Sequence, residues 1–228
     1  MLTLSACHKN IMCNPHSICM FPERPGIKQW KDFLHVLRYL KSTTDVCITY
    51  QKYKEEDAIA YSDADWGSFR VTQRSVSGHL ILLNKGLVIW KTKKQPTASL
   101  SSAKEDYKAL CNLASEILWF QQSCMELNIT HGLRPMKVHE DNQGCIDTAN
   151  SDCNANTQRM KHIEKQLHFI WEAIKNSKMS LIYTPTSKML ADFLTKSVCK
   201  PAIQRAMQGL NLLRLGEKGD VKISKHFS

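Results

Sequence analysis

The sequence predicts an α/β fold, a mixed sheet covered by helices, and three observations lead there. The apolar runs Gly78 to Leu83 and Leu87 to Lys91 flank Asn84-Lys85-Gly86, and a third strand-like run from Ala58 precedes them. Runs joined this tightly pair antiparallel, as a meander. A long stretch opening at Ser102 then carries apolar residues at the helical period. After it, strand-like and helical segments alternate, which sets helices against the sheet.

Taken in order, residues 1–25 are irregular, and Trp30, Phe33, Leu37 and Leu40 then mark a helix running from Gly26 to Lys41. Val46 to Tyr50 reads as a short strand, and the polar stretch Gln51 to Asp57 as a boundary. Ala58 to Asp63 is the first strand of the meander, with Tyr61, Asp63 and Asp65 on one face by the two-residue period. The helix from Ser102 starts with a capping-box pattern, Ser102-Ala103-Lys104-Glu105. Its stripe is Tyr107, Leu110, Ala114, Ile117, Leu118 and Gln121, widened by Leu113 and Phe120. Met136 to Glu140 is a fourth strand between Pro135 and Asp141, and a helix carries Ile163, Leu167, Ile170, Trp171 and Ile174. Met179 to Thr184 is a fifth strand stopped by Pro185, and a short helix begins at Leu190. Trp30, Trp119 and Trp171 sit on helical stripes and are expected in the core.

Composition narrows the partners. The 228 residues carry 31 basic and 21 acidic side chains, a net charge of +10, which favours a polyanion such as nucleic acid. No apolar run approaches the roughly 20 residues of a membrane span, and the first twenty residues lack the apolar stretch of a signal peptide. A cytoplasmic location without a membrane is therefore expected. The nine cysteines form no CxxC pair, which fits reduced thiols. Cys7, His8, Cys13, His16 and Cys19 crowd together, but their spacing matches no common zinc module.

Four carboxylates stand where strands end or helices begin: Asp63, Asp106, Asp141 and Asp192. Ligands collect at the carboxyl ends of strands in such sheets, so four elements can converge on one rim. Clustered carboxylates repel unless a cation neutralises them, and magnesium suits an all-oxygen site. Singly, each has a plainer role as a turn, cap or solvated residue.

Six motifs in order go further: Tyr61-Ser62-Asp63-Ala64-Asp65-Trp66, Arg74-Ser75-Val76-Ser77-Gly78, Trp90-Lys91-Thr92-Lys93-Lys94-Gln95-Pro96-Thr97, Asp141-Asn142-Gln143, Lys161-His162-Ile163, and Leu190-Ala191-Asp192-Phe193-Leu194-Thr195-Lys196. Over about residues 58–198 the chain resembles the ribonuclease H domain of copia-type retrotransposon polyproteins. Trp30 to Thr43 is similar to the segment that joins reverse transcriptase to that domain. No YxDD polymerase signature is present, which excludes a complete polymerase.

The resemblance implies a ribonuclease H-like fold, a mixed five-stranded sheet flanked by helices. It divides the chain into a connecting remnant (1–56), the ribonuclease H-like domain (57–198), and a C-terminal helix with a frayed tail (199–228). It further implies hydrolysis of the RNA strand of RNA–DNA hybrids during reverse transcription, leaving a 5′-phosphate. Two Mg2+ ions would do this, with Mn2+ able to substitute, one activating the attacking water and the other steadying the leaving oxygen. The partners implied are the hybrid and the reverse transcriptase domain of the same polyprotein, in the cytoplasm within virus-like particles.

Asp63, Asp141 and Asp192 are the metal ligands by this resemblance; the strand period alone leaves Asp63 and Asp65 open, and the motif selects Asp63. Asp106 stands where the family usually has Glu, and the lost methylene retracts its carboxylate by about 1.5 Å. Helical geometry turns Asp106 inward with Leu110 and Leu113, and Glu105 towards a polar side with Asn112 and Glu116. Lys91, Lys93 and Lys94 would track phosphates, or form a solvated strand end. Asn142 and Gln143 would sense 2′-hydroxyls in the minor groove, unless Asn142 caps a helix. His162 would aid proton transfer or product release, or begin a helix structurally. Two other readings follow from the same residues. One is a catalytically decayed element fragment that at most binds nucleic acid; the other is a DNA nuclease of the same fold.

Overall fold

The computed structural model describes residues 26–50, 58–65, 74–96, 102–129, 135–151, 164–196 and 198–214. Its elements in chain order are α1 (Ile27–Ser42), β1 (Val46–Ile48), β2 (Ala58–Asp65), β3 (Val76–Leu83), β4 (Gly86–Lys94), α2 (Ser102–Glu126), β5 (Met136–Glu140), α3 (Gln143–Asn150), α4 (Glu164–Lys175), β6 (Met179–Tyr183), a 3-10 turn (Thr186–Lys188), α5 (Asp192–Thr195), α6 (Lys200–Gly209) and β7 (Leu212–Arg214).

Five strands form one sheet in the order β4-β3-β2-β5-β6. β3 pairs antiparallel with both β2 and β4, whereas β5 runs parallel to β2 and to β6. The mixed sheet expected of a ribonuclease H-like fold is present. The β3–β4 hairpin turns on Asn84 and Lys85, both at positive φ (51° and 61°). That is the backbone a two-residue turn needs to match the strand twist.

Each face of the sheet buries its own core. On one face Ala60, Ile81 and Val138 meet the α2 stripe of Tyr107, Leu110, Leu113, Ala114 and Ile117, with Leu167 and Ile170 of α4 behind. On the other, Leu80, Leu82 and Leu87 pack against Phe193 and Leu194 of α5 and Ile203 and Ala206 of α6. Tyr39 of α1 joins this second core. β1 pairs antiparallel with β7, Cys47 opposite Leu213, which ties the segment before the sheet to the segment after it. The strand at Val46 is thus met, but the sequence pattern offered no sign of its partner.

Two tryptophans depart from expectation. Trp119 is exposed, because it lies about 200° around α2 from the buried Ile117. Trp30 is also exposed, alongside Phe33 and Leu37 on α1. Trp171 is partly buried, and Lys175 Nζ sits 4.4 Å above its ring. No helix among the described residues is long and apolar enough to cross a membrane.

Candidate metal centre

Asp63 sits near the end of β2 and faces the side of the sheet that α5 covers. Directly across the strands, Asp63 pairs with Gly78 of β3, and Gly78 with Thr92 of β4. α5 rests on this row because Gly78 has no side chain: a Cβ there would lie 2.7 Å from both Leu194 Cβ and Thr195 Cγ2. Thr92 Oγ1 fastens the helix from below by donating to the Leu194 carbonyl at 3.1 Å. The close approach puts the Thr195 hydroxyl on Asp63 Oδ2, to which it donates. Lys196 Nζ donates to Asp63 Oδ1 at 3.3 Å and lies 3.0 Å from Asp192 Oδ1.

Asp141 follows β5 directly, and its Oδ2 accepts from the Thr186 hydroxyl at 2.6 Å. One carboxylate oxygen from each of Asp63, Asp141 and Asp192 lies within 4.8 Å of the others. An all-carboxylate set on three separate elements, with an ammonium already seated on two of its members, fits a hard divalent cation.

Asp106 takes a different place. It lies in the first turns of α2, nearly buried, and its Oδ2 accepts from Asn142 Nδ2 at 2.7 Å. It is near enough to Asp63 and Asp141 for their charges to raise its pKa, yet it is not among the three clustered carboxylates. Glu105 is wholly buried rather than on a polar side. The reason is local: Gln95 Nε2 reaches the Glu105 carbonyl at 3.1 Å and Ser77 Oγ at 2.8 Å, closing β3 and β4 over that turn. The Glu105 carboxylate lies 3.4 Å from Lys108 Nζ.

Burial raises the pKa of every acid whose shift is resolved here. Desolvation lifts Asp106 to about 7, with Asp63 and Asp141 adding to it and the Asn142 hydrogen bond opposing. Asp192 rises to about 6 through burial and the charge of Asp63, against Lys196. Asp63 is raised by burial despite Lys196 and Thr195. Burial works to lower Lys196, but Asp63 and Asp192 outweigh it and raise its pKa.

The remaining predicted contacts are dispersed. Lys91 forms an ion pair with Glu116 of α2. Lys91 and Lys93 flank Thr92 on β4, so strand alternation points them away from the face bearing Asp63; Lys94 is half-buried. Asn142 is the N-cap of α3, its Oδ1 accepting from the Cys145 amide at 3.2 Å. Both ends of its side chain thus have partners within the chain. Gln143 Nε2 donates to Asp147 Oδ1 at 2.8 Å on the surface. Asp65 is half-buried at the end of β2, outside the clustered carboxylates. His162, Trp66, Thr97 and the cysteine-rich residues 1–25 lie outside the described residues.

Three residues around the site were not singled out from sequence. Thr195 and Lys196 belong to the Leu190–Lys196 motif, and their position three and four residues after Asp192, one helical turn on, was the available signal. Glu140 is wholly buried, and its Oε1 accepts from the amides of Asp141 and Asn142 at 3.2 and 3.3 Å. Burial and Asp106 raise its pKa well above that of an ordinary carboxyl. Alternation along β5 places it with Val138 on the α2 face, a signal the strand period already held.

No protein-family model matches the chain. It is 29% identical over 199 residues to the retrovirus-related Pol polyprotein from transposon RE2 of Arabidopsis thaliana, across 87% of this chain and 13% of that one. It is 30% identical over 184 residues to the Pol polyprotein from transposon TNT 1-94 of Nicotiana tabacum, across 79% of this chain and 13% of that one. The chain thus matches a segment of the retrovirus-related Pol polyproteins of transposons. It spans about 13% of the length of these Pol relatives. Among solved structures, LC11-RNase H1 in complex with an RNA/DNA hybrid aligns with 66% of this Pol segment and 99% of its own chain, at 14% identity and a TM-score of 0.46.

Proposed function

We propose that this Pol segment is a divalent-metal-dependent endoribonuclease that cuts the RNA strand of RNA–DNA hybrids during reverse transcription. The observation that carries the reading is the meeting of Asp63, Asp141 and Asp192 within 4.8 Å at one rim of the sheet. Two magnesium ions, or manganese in their place, would be held there with Asp106 as a fourth carboxylate. Bound metal supplies Lewis acidity at the scissile phosphodiester.

The chain's own residues do the rest. Thr195 and Thr186 orient Asp63 and Asp141 by donating to one oxygen of each, and the other oxygen of Asp63 carries the ammonium of Lys196 where a metal ion would bind. Asn142 holds Asp106 against the start of α3, and the short side chain of Asp106 keeps it there. Lys91, Lys93 and Lys94 supply positive charge for the phosphates, Lys91 by exchanging Glu116 for phosphate. Lys188 and Arg205 line a cleft of about 250 Å³ beside Asp192 and offer a second basic path. Asn142 and Gln143 would read 2′-hydroxyls only by giving up Asp106 and Asp147, and His162 would assist proton transfer. Residues 57–198 would carry this unit, with 1–56 leading to it from the reverse transcriptase domain and 199–228 following it as a C-terminal helix and tail. It would work in the cytoplasm within virus-like particles.

One observation favours a second reading, a catalytically decayed fragment that binds the hybrid without cutting it: the Asp106 carboxylate is engaged by Asn142. The test is cleavage of an RNA–DNA hybrid labelled on the RNA strand, in magnesium, by the unaltered chain, Asp63→Asn and Asp106→Glu. The nuclease reading expects cutting that Asp63→Asn lowers by at least about a hundredfold, since misplacing a catalytic group by about 1 Å already costs that much. It also expects Asp106→Glu to speed cutting. No cutting by the unaltered chain or by Asp106→Glu, with hybrid binding intact, establishes the decayed fragment. Cutting of duplex DNA in preference to hybrid points instead to a DNA nuclease of the same fold.

A further inference from the structure

Lys196 Nζ bridges two of the three clustered carboxylates, at 3.0 Å from Asp192 and 3.3 Å from Asp63. Resting on the reading that these carboxylates hold a divalent ion, we propose that Lys196 is a resident counter-ion which the metal displaces. It is a positioning residue that keeps the carboxylates together in the metal-free chain and sets how tightly metal is held.

Asp63 is the most enclosed of the three clustered carboxylates. Its side chain is 2% exposed and both its oxygens are engaged, one by Thr195 and one by Lys196. Removing a carboxylate from water is costly unless a partner compensates, and here part of that compensation is a full positive charge. A metal binding among Asp63, Asp141 and Asp192 needs the lone pairs that the ammonium occupies. Two cations within a few ångströms repel strongly in a site of low dielectric, so they exclude one another. Of the two groups on Asp63, Lys196 has the more room to move. Its side chain is 30% exposed, on a long stem just past a four-residue helix, whereas Asp63 and Thr195 are buried. The neutral Thr195 hydroxyl remains on Asp63 Oδ2 in either state. Metal therefore enters by exchange, one ammonium leaving to solvent as the divalent ion arrives.

The opposing effects of removing Lys196 separate this role from a purely structural one. In EDTA the loss leaves carboxylates facing each other without a counter-ion, and Tm falls. With metal present it removes a competitor, and binding tightens. The experiment is a Mn2+ titration read by the electron paramagnetic resonance signal of free Mn2+, on the unaltered chain, Lys196→Met and Thr195→Val, with melting curves in EDTA and in Mn2+. Neither readout depends on catalysis. Lys196→Met is expected to bind Mn2+ about tenfold more tightly, the scale of two partly buried ion pairs. It should also melt lower in EDTA, with the gap narrowing as Mn2+ is added. Thr195→Val should melt lower in both media and bind Mn2+ no more tightly. If Lys196→Met does not fold in EDTA, Lys196→Gln, which keeps a donor but not the charge, is read in the same way. Equal or weaker Mn2+ binding after loss of the charge overturns the exchange while leaving the metal site standing. Absence of Mn2+ binding in every chain overturns the metal site itself.

Discussion

The site contains two pairs of acids whose charges are handled in different ways. Asp63 and Asp192, on the α5 side of the sheet, share the ammonium of Lys196, and Asp63 adds the hydroxyl of Thr195. Asp106 and Glu140, on the α2 side, have amides as their hydrogen-bond donors: the Asn142 side chain for one, the backbone of Asp141 and Asn142 for the other. An amide offsets part of the desolvation of a carboxylate but brings no net charge. Burial raises the pKa of acids in both pairs, to about 6 at Asp192, to about 7 at Asp106 and well above the ordinary range at Glu140. The pairs differ in their partners: a cation is seated on the first and neutral donors on the second. A resident cation can be exchanged for another cation, whereas a neutral donor offers no charge to exchange.

The largest break in this contrast comes from Gly78→Ala. Its new Cβ would meet Leu194 and Thr195 at 2.7 Å, so α5 must lift and carry Thr195 and Lys196 off Asp63. Overpacking of this kind costs about 3 kcal/mol, measured by urea unfolding, and the metal-free Asp106 side should be untouched. A smaller effect tests the Asp106 side. Folded Asp106 keeps its proton up to about pH 7, against an ordinary value of 3.8. Between those values the folded chain binds more protons than the unfolded one, so stability falls as pH rises from about 4 to about 7. Asp106→Asn removes that contribution and should reduce the fall by about 2 kcal/mol between about pH 5 and pH 7.5, measured in EDTA.

Asn142→Ala should cost about 1 kcal/mol, the loss of an N-cap. It also removes the donor that holds Asp106, so the pH midpoint of Asp106, followed by carboxyl NMR shifts, should rise. The smallest effect is expected at Lys93, exposed on β4. Lys93→Ala should leave stability unchanged and lower the salt dependence of hybrid binding by about one counterion, measured by fluorescence anisotropy. An unchanged slope would remove Lys93 from the phosphate path.

Much of this fold was legible because periodicity reports burial. The meander, the α2 stripe and β5 follow from patterns of two and 3.6 residues, and β5 spans the residues expected, Met136–Glu140. Trp119 departs from the pattern because it neighbours the α2 stripe in sequence but lies about 200° around the helix from Ile117. The α3 helix was foreshadowed by its cap, Asn142, whereas β7 was not anticipated, since three residues carry too little pattern to mark a strand. The four carboxylates were legible through their motifs, but their compensation was not. That Lys196 lies on Asp63, 133 residues away, depends on Gly78 letting α5 onto the sheet.

By itself, then, the sequence determined the longer elements and which acids stand at their ends, because these are local matters of period, capping and turn chemistry. Only the tertiary structure decided that three of the four acids cluster while Asp106 turns to Asn142, that Glu105 and Glu140 are buried, and that β1 finds β7. Each of these is a contact between segments far apart in the chain. Its free energy depends on distance and desolvation, which no local pattern of residues encodes.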